Sequence, residues 1–260
     1  LVMGLIVGAL IALGMLGCWA SVRRLHRYVA TATAGTHSIV QQFRTAWQAR
    51  PFRLLLSAFV LQALGAGAVL AAAPYFSQQV LGVANFGIVF GVLLVPAVLV
   101  MPLWAYLGHR IGKRRGYLLA SICFIIGLIC SLAAQVLPLA VALALITITS
   151  VGYAGMQMFP LAMLPDTISE QAEETGVQRA GAFTGVWTAG ETAAFAIGPA
   201  IVLLLLAVTG YISTTAGQTV IQPASAVTGV ILAFSVLPVV LVALSLPLIL
   251  RYPLREEIPA

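Results

Sequence analysis

The chain is 260 residues long, 61% hydrophobic and 8% charged, with 13 Lys and Arg against 7 Asp and Glu and a net charge of +6. With a mean hydropathy of +1.07, it cannot be a domain whose whole surface faces water, which needs roughly a quarter of its residues charged. The basic excess is no nucleic-acid footprint either, because the cations sit at the ends of apolar runs rather than along a solvated face, so no nucleic-acid partner is expected.

Seven apolar runs cover residues 2–21, 54–75, 84–107, 117–134, 137–164, 182–208 and 227–250. They are unbroken and roughly 20 residues long, as an α-helix needs to cross a hydrocarbon core roughly 30 Å thick, and they lack the alternation of a β-barrel. The first run follows Leu1 in place of Met, from which a chain beginning partway through a longer protein is expected. That run lacks a basic n-region and is followed by arginines instead of a small-residue cleavage site, so it is not read as a signal peptide.

Residues 22–53 form the longest polar break and the natural domain boundary, with Arg23, Arg24, His26, Arg27, His37, Arg44, Arg50 and Arg53. Within it Ile39, Val40, Phe43 and Trp47 recur at helical spacing opposite Gln41, Arg44 and Gln48, which predicts a short helix lying in the membrane interface. Further on, the connections alternate. The loops 108–116 and 165–181 and the tail 251–260 carry charge, whereas residues 77–83, the turn near Gln135 and residues 209–226 carry none.

All 13 Lys and Arg, with six of the 7 acids, thus fall on one side of the bilayer. By the positive-inside rule that side is the cytoplasm, which predicts an integral protein of a bacterial-type inner (plasma) membrane with a cytoplasmic C-terminus. Cys18, Cys123 and Cys130 lie inside apolar runs without metal-ligand spacing and are expected as small core residues, with no disulfide framework and no metal site. No Walker loop, HExxH, GxSxG or paired-carboxylate pattern occurs, so no enzymatic activity is expected.

The basic turn Gly108-His109-Arg110-Ile111-Gly112-Lys113-Arg114-Arg115 joins two spans. Gly112 supplies a tight bend, and the cations suit helix C-terminal carbonyls or anionic lipid. The following charged loop holds Asp166, Glu170, Glu173, Glu174 and Arg179, which either pair with that turn to close a cytoplasmic gate or remain solvated.

Glu191 is the one acid outside this pattern, deep within a run. It stands about nine residues or roughly 13 Å in, where an unpaired carboxylate costs on the order of 3 kcal/mol, so it should face the bundle interior. Thr184, Trp187 and Thr188 precede it at i−7, i−4 and i−3 and share its face. Carboxylate, aromatic ring and hydroxyls together suit a polar ring such as a sugar. The same position also suits a protonated acid bonded to a neighbouring helix, a partner for a base elsewhere, or a proton carrier.

Ser150, Tyr153 and Gln157 form a polar stripe at i, i+3 and i+7, with Pro160 just beyond. The stripe is read either as cavity lining or as inter-helix hydrogen-bond glue. Gln62 and Tyr75 are weaker candidates, Tyr75 being placed as an interfacial anchor.

The turn around Gly112 resembles the short basic signature loop repeated in each half of major facilitator transporters, with His109 where that signature has Asp. More specific are Arg50-Pro51-Phe52, Ala73-Pro74-Tyr75-Phe76, Val80-Leu81-Gly82 and Met163-Leu164-Pro165-Asp166-Thr167. Thr175-Gly176, Arg179-Ala180-Gly181-Ala182-Phe183, Gly185-Val186-Trp187-Thr188 and Ala196-Ile197-Gly198-Pro199 follow. In this order they resemble the glycoside/pentoside/hexuronide:cation symporter family, the melibiose-permease-like branch of the major facilitator superfamily.

The resemblance implies an all-α membrane protein with the major facilitator fold, twelve helices in two six-helix halves. Residues 1–21 are then the last helix of the N-terminal half, 22–53 the cytoplasmic linker, 54–250 the C-terminal six-helix half and 251–260 the cytoplasmic tail. It implies alternating-access transport of a small polar solute, a sugar or glycoside, coupled to sodium ion or proton, with no other cofactor. The expected partners are the lipid bilayer, the solute and the N-terminal half of the same protein, which in such symporters carries most of the acids that bind sugar and cation.

Within this chain Glu191, Trp187, Thr188, Gln157 and Tyr153 are the expected solute-binding residues, and Arg110, Gly112, Lys113, Arg114 and Asp166 the expected gating loop. Thr192 stands where the family often has a lysine after the glutamate, so that lysine's role does not transfer. A lysophospholipid-type lipid carrier of the same family is the alternative, and a non-transport membrane bundle stands behind it.

Overall fold

The structure is a computed structural model that describes residues 8, 12–20, 44, 46–83, 85–177, 179–213 and 220–253. The chain forms two compact units, Leu1–Ser38 and Ile39–Ala260. In the first, residues 12–20 are helical, and the rest of the predicted span 2–21 lies almost wholly outside the described residues. The predicted interfacial helix also falls largely outside them, at Ile39, Val40 and Phe43; residues 46–48 are helical, and the Trp47 carbonyl accepts a hydrogen bond from Arg53 Nη1 at 3.4 Å.

The second unit holds α1 (Arg50–Gln79), α2 (Phe86–Ile111), α3 (Lys113–Ser131), α4 (Leu139–Thr175), α5 (Ala180–Val208) and α6 (Ala224–Leu250). There is no strand among the described residues. These six helices are each long and apolar enough to cross a membrane. A 3₁₀ turn, Leu132–Gln135, extends α3, and α6 contains a π turn at Leu232–Val236.

The helices overrun the predicted spans, and two predicted loops shrink accordingly. α1 starts at Arg50, with Pro51 in its first turn, where a missing N–H costs nothing. The predicted loop 108–116 reduces to Gly112, whose φ of +87° lets α2 hand over directly to α3. Most of the predicted loop 165–181 is helix, because α4 continues to Thr175 and stops only at Gly176, in the left-handed conformation at φ +69°. A helix satisfies its own backbone whether lipid or water surrounds it, so hydropathy marks where lipid ends and not where the helix ends.

α1 packs on α5 and α6, while α4 packs on α2 and α3, and α3 also meets α6. Exchanging α1 with α4, α2 with α5 and α3 with α6 maps these pairings onto one another, the pattern of two interlocked three-helix repeats of inverted orientation. Bare glycines permit the close crossings. A Cβ on Gly127 would lie 2.4 Å from the Thr149 nitrogen, one on Gly152 2.3 Å from the Phe124 nitrogen, and one on Gly198 2.6 Å from the Leu64 carbonyl.

α1 is the central element. Its most apolar stretch is 61% buried, against 17% for α2 and 22% for α5, so those two are peripheral. Gln62 of α1, a weak cavity candidate in the sequence, is a core residue: its Nε2 donates to Ser121 Oγ of α3 at 2.9 Å and to Ser245 Oγ of α6 at 2.8 Å. This amide ties three helices together where lipid offers no competing partner. Phe76 of α1 stacks on Phe234 within the π turn of α6, centroids 4.1 Å apart.

Candidate functional site

α4 and α5 both lean on α1 but make at most marginal contact with each other. Tyr153 and Gln157 of α4 and Glu191 of α5 are all half-buried. The Glu191 carboxyl is close enough to the Tyr153 hydroxyl to act on it electrostatically, and Gln157 stands one turn beyond Tyr153 on α4.

The rest of the α4 stripe parts from them. Ser150 is fully buried, and its Oγ donates to the Leu93 carbonyl of α2 at 2.6 Å, so it serves as inter-helix glue. One turn separates it from Tyr153, but α2 covers Ser150 while Tyr153 stays half-buried.

The predicted face of α5 divides in the same way. Trp187 is 3% exposed and stacked on Phe59 of α1, instead of presenting an open ring. Its indole N–H is buried without a hydrogen-bond partner. Thr184 and Thr188 are exposed and line a shallow groove with Gly185, Ala189 and Thr192. Neighbouring positions on a helix differ by about 100°, so α1 can cover Trp187 and leave Thr188 open while Glu191 lies between them. Thr184 Oγ1 is turned back onto the Ala180 carbonyl at 3.0 Å. Phe59, which the sequence reading missed, had a signal available in its helical register with Phe52 and Leu56.

At the charged end of the bundle, the predicted gating residues separate into contacts of different kinds. Lys113 Nζ binds Asp166 Oδ2 at 2.5 Å and the Ala162 carbonyl at 3.2 Å, joining α3 to the α4 extension. Both side chains are more than a third exposed, so the pair contributes little, about 0–1 kcal/mol. Arg114 donates to the Leu250 carbonyl, where a cation suits the C-terminus of α6. Arg110 lies over the Tyr106 ring, 5.2 Å from its centroid, on its own helix.

Two features of this end went unread in the sequence. Phe159 sits against both Gly108 and Gly116, where added Cβ atoms would come within 2.8 and 2.3 Å of its ring. Thr167 and Tyr252 share a hydroxyl hydrogen bond at 2.7 Å. Burial pushes the Tyr252 hydroxyl above the usual tyrosine range, the bond to Thr167 draws it back, and the Glu170 and Asp166 carboxylates push it further up.

No curated protein matches the chain. Residues 1–256 match the family described as MFS/sugar transport protein. A match of that extent, on an all-helical unit of six membrane-crossing helices, shows that the chain belongs to the MFS/sugar transport protein family.

Proposed function

We propose that this chain supplies the C-terminal half of a secondary active transporter that moves a small polar solute, a sugar or glycoside, coupled to sodium ion or proton. The observation that supports this reading is the half-buried placement of Tyr153 and Gln157 on α4 and of Glu191 on α5, with the Glu191 carboxyl acting electrostatically on the Tyr153 hydroxyl. A carboxylate accepts from sugar hydroxyls, while the phenol and the amide both donate and accept. Thr188 widens the hydroxyl surface, and Trp187, held by Phe59, fixes the α5 segment that presents Glu191.

Transport follows as rocking of this half against an N-terminal partner half about a midplane site. Gly112 with Arg110, Lys113, Arg114 and Asp166 forms the hinge end and closes it from the cytoplasm in the outward-facing state. The orientation, with a cytoplasmic C-terminus in a bacterial-type inner (plasma) membrane, is supported by the placement of all 13 cations at one end.

The test is uptake of labelled glycosides into vesicles bearing the full-length protein, under imposed sodium or proton gradients, with and without Glu191→Gln. The wild type should accumulate a glycoside and the variant should lose roughly tenfold or more in rate, as expected for loss of a charge-assisted bond. Unchanged uptake and ion dependence in the variant would remove Glu191 from the site. A second reading, a lysophospholipid-type carrier, is favoured by the groove at Thr184, Thr188 and Thr192, which opens on the exposed flank of α5. Movement of a labelled lysophospholipid without glycoside uptake would select it.

A further inference from the structure

We infer that α6 is hinged at its π turn: the segment Ala224–Ile231 travels with the end of α5, while Leu237–Leu250 stays with α3. The hinge stands on packing, and only its use, to open and close the uncharged end of the bundle, rests on the carrier reading above.

The break has a cause in the sequence. Pro238 has no N–H, so a regular helix would leave the Phe234 carbonyl unpaired and press the proline ring against it. The chain widens there instead, and the Leu237 N–H bonds to the Leu232 carbonyl. α6 also changes neighbours at this turn. Ala224–Ile231 packs on α1 and α5 and meets α3 at most marginally, whereas Leu237–Leu250 packs on α1 and α3 and meets α5 at most marginally. A stiff helix spanning both partners would pass any movement of α5 on to α3, and a helix widened where the partners change absorbs it.

The contacts on the two sides differ in kind. Toward α5, Gly229 is seated on Thr209, where a Cβ would lie 2.1 Å from the threonine Oγ1, and that hydroxyl is itself held by the Leu205 carbonyl at 2.9 Å. Toward α3, the side-chain hydrogen bond at the π turn is a hydroxyl pair, Ser235 with Ser131 at 2.9 Å. Ser131 Oγ donates to the Leu128 carbonyl at 2.7 Å, so Ser235 is the donor to Ser131. A hydroxyl pair between membrane helices is weak enough to part as the segment moves. α1 is built to follow. Phe76, which stacks on Phe234, lies two residues past Pro74, where α1 also lacks a backbone hydrogen bond. Tyr75 of the same stretch meets Tyr211, just past the end of α5, edge to face with centroids 5.1 Å apart.

The experiment measures spin-label distances in the full-length protein in lipid nanodiscs. Labels go on the exposed positions Ser225 of the first α6 segment, Val208 of α5 and Ile129 of α3, each changed to cysteine, with Cys18, Cys123 and Cys130 replaced by serine. The 225–129 distribution should be about twice as wide as the 225–208 distribution, since closing the π turn to α turns the segment by about 100°. Pro238→Ala returns an N–H to the Phe234 carbonyl and should narrow the wider distribution toward the other. Labels carried by a genetically encoded keto amino acid at the same positions leave the native cysteines in place and serve if the serine background fails to insert. Equal widths for the two pairs overturn the hinge, as does a width that Pro238→Ala leaves unmoved. The measurement needs no solute, so absence of glycoside uptake would overturn the carrier reading and leave the hinge standing.

Discussion

Trp187 of α5 stacks on Phe59 of α1, with ring centroids 4.4 Å apart and planes 18° from parallel. The contact locks the N-terminal half of α5 to the central helix, one turn before Glu191. Gly190 brings the helices together at the same level, since a Cβ there would lie 3.2 Å from Leu56 and Val60. Trp187→Ala should therefore cost about 3–5 kcal/mol of stability. Trp187→Phe keeps the stacking and removes the unpartnered N–H, so it should stay within about 1 kcal/mol of wild type. Thermal unfolding of the detergent-solubilised protein separates the two, and equal losses in both variants would show that stacking is not what holds the ring.

At the charged end of the bundle, Gly116→Ala places a methyl against the Phe159 ring, which is already edge-packed on Trp104 at 5.8 Å and cannot retreat freely. A destabilisation of about 1–3 kcal/mol is expected. Phe159→Leu in the same chain should recover part of it, giving a double-mutant coupling of at least ~0.5 kcal/mol. Strict additivity of the two changes would mean the ring and the glycine do not contend for the same space.

Gln62 is expected to matter less than its three-helix position suggests. Ser121 and Ser245 also donate to the Tyr117 and Val242 carbonyls of their own helices, so neither hydroxyl is orphaned when the amide goes. The Gln62 Oε1 atom is itself buried without a partner, a cost that an apolar residue removes. Gln62→Leu should cost no more than about 1 kcal/mol, in line with the modest worth of hydrogen bonds between membrane helices. Gln62→Glu should be far worse, because it exchanges a neutral amide for an acid in the same apolar packing. Denaturation of both variants in parallel checks the order.

Tyr252 carries a pH signature. Its folded-state pKa is raised, first by burial, so the folded protein holds that proton at pH values where the unfolded chain has lost it. The linked stability is fully present below the unfolded tyrosine value near 10 and declines as pH rises from there through the folded value. Wild type and Tyr252→Phe should therefore converge in stability as pH rises above about 10. A constant difference between them from neutral to alkaline pH would contradict the assignment.

The six long apolar helices of the second unit and the family the chain joins were legible in the sequence. Each depends on local quantities: the transfer free energy of a run, the placement of cations beside it, and short motifs at turns. Helix ends were not legible, as Gly112 and the α4 extension to Thr175 show, because a helix leaving lipid keeps its own hydrogen bonds.

The candidate site was half legible. Periodicity placed Trp187, Thr188 and Glu191 on adjoining flanks of one helix, and Ser150, Tyr153 and Gln157 on another. Only the tertiary structure decided that α1 takes Trp187, that α2 takes Ser150, and that Tyr153, Gln157 and Glu191 stay half-buried. A helix's sequence sets the angles between its side chains, but which flank is covered depends on where the neighbouring helices lie, and that is settled by contacts between residues far apart in the chain.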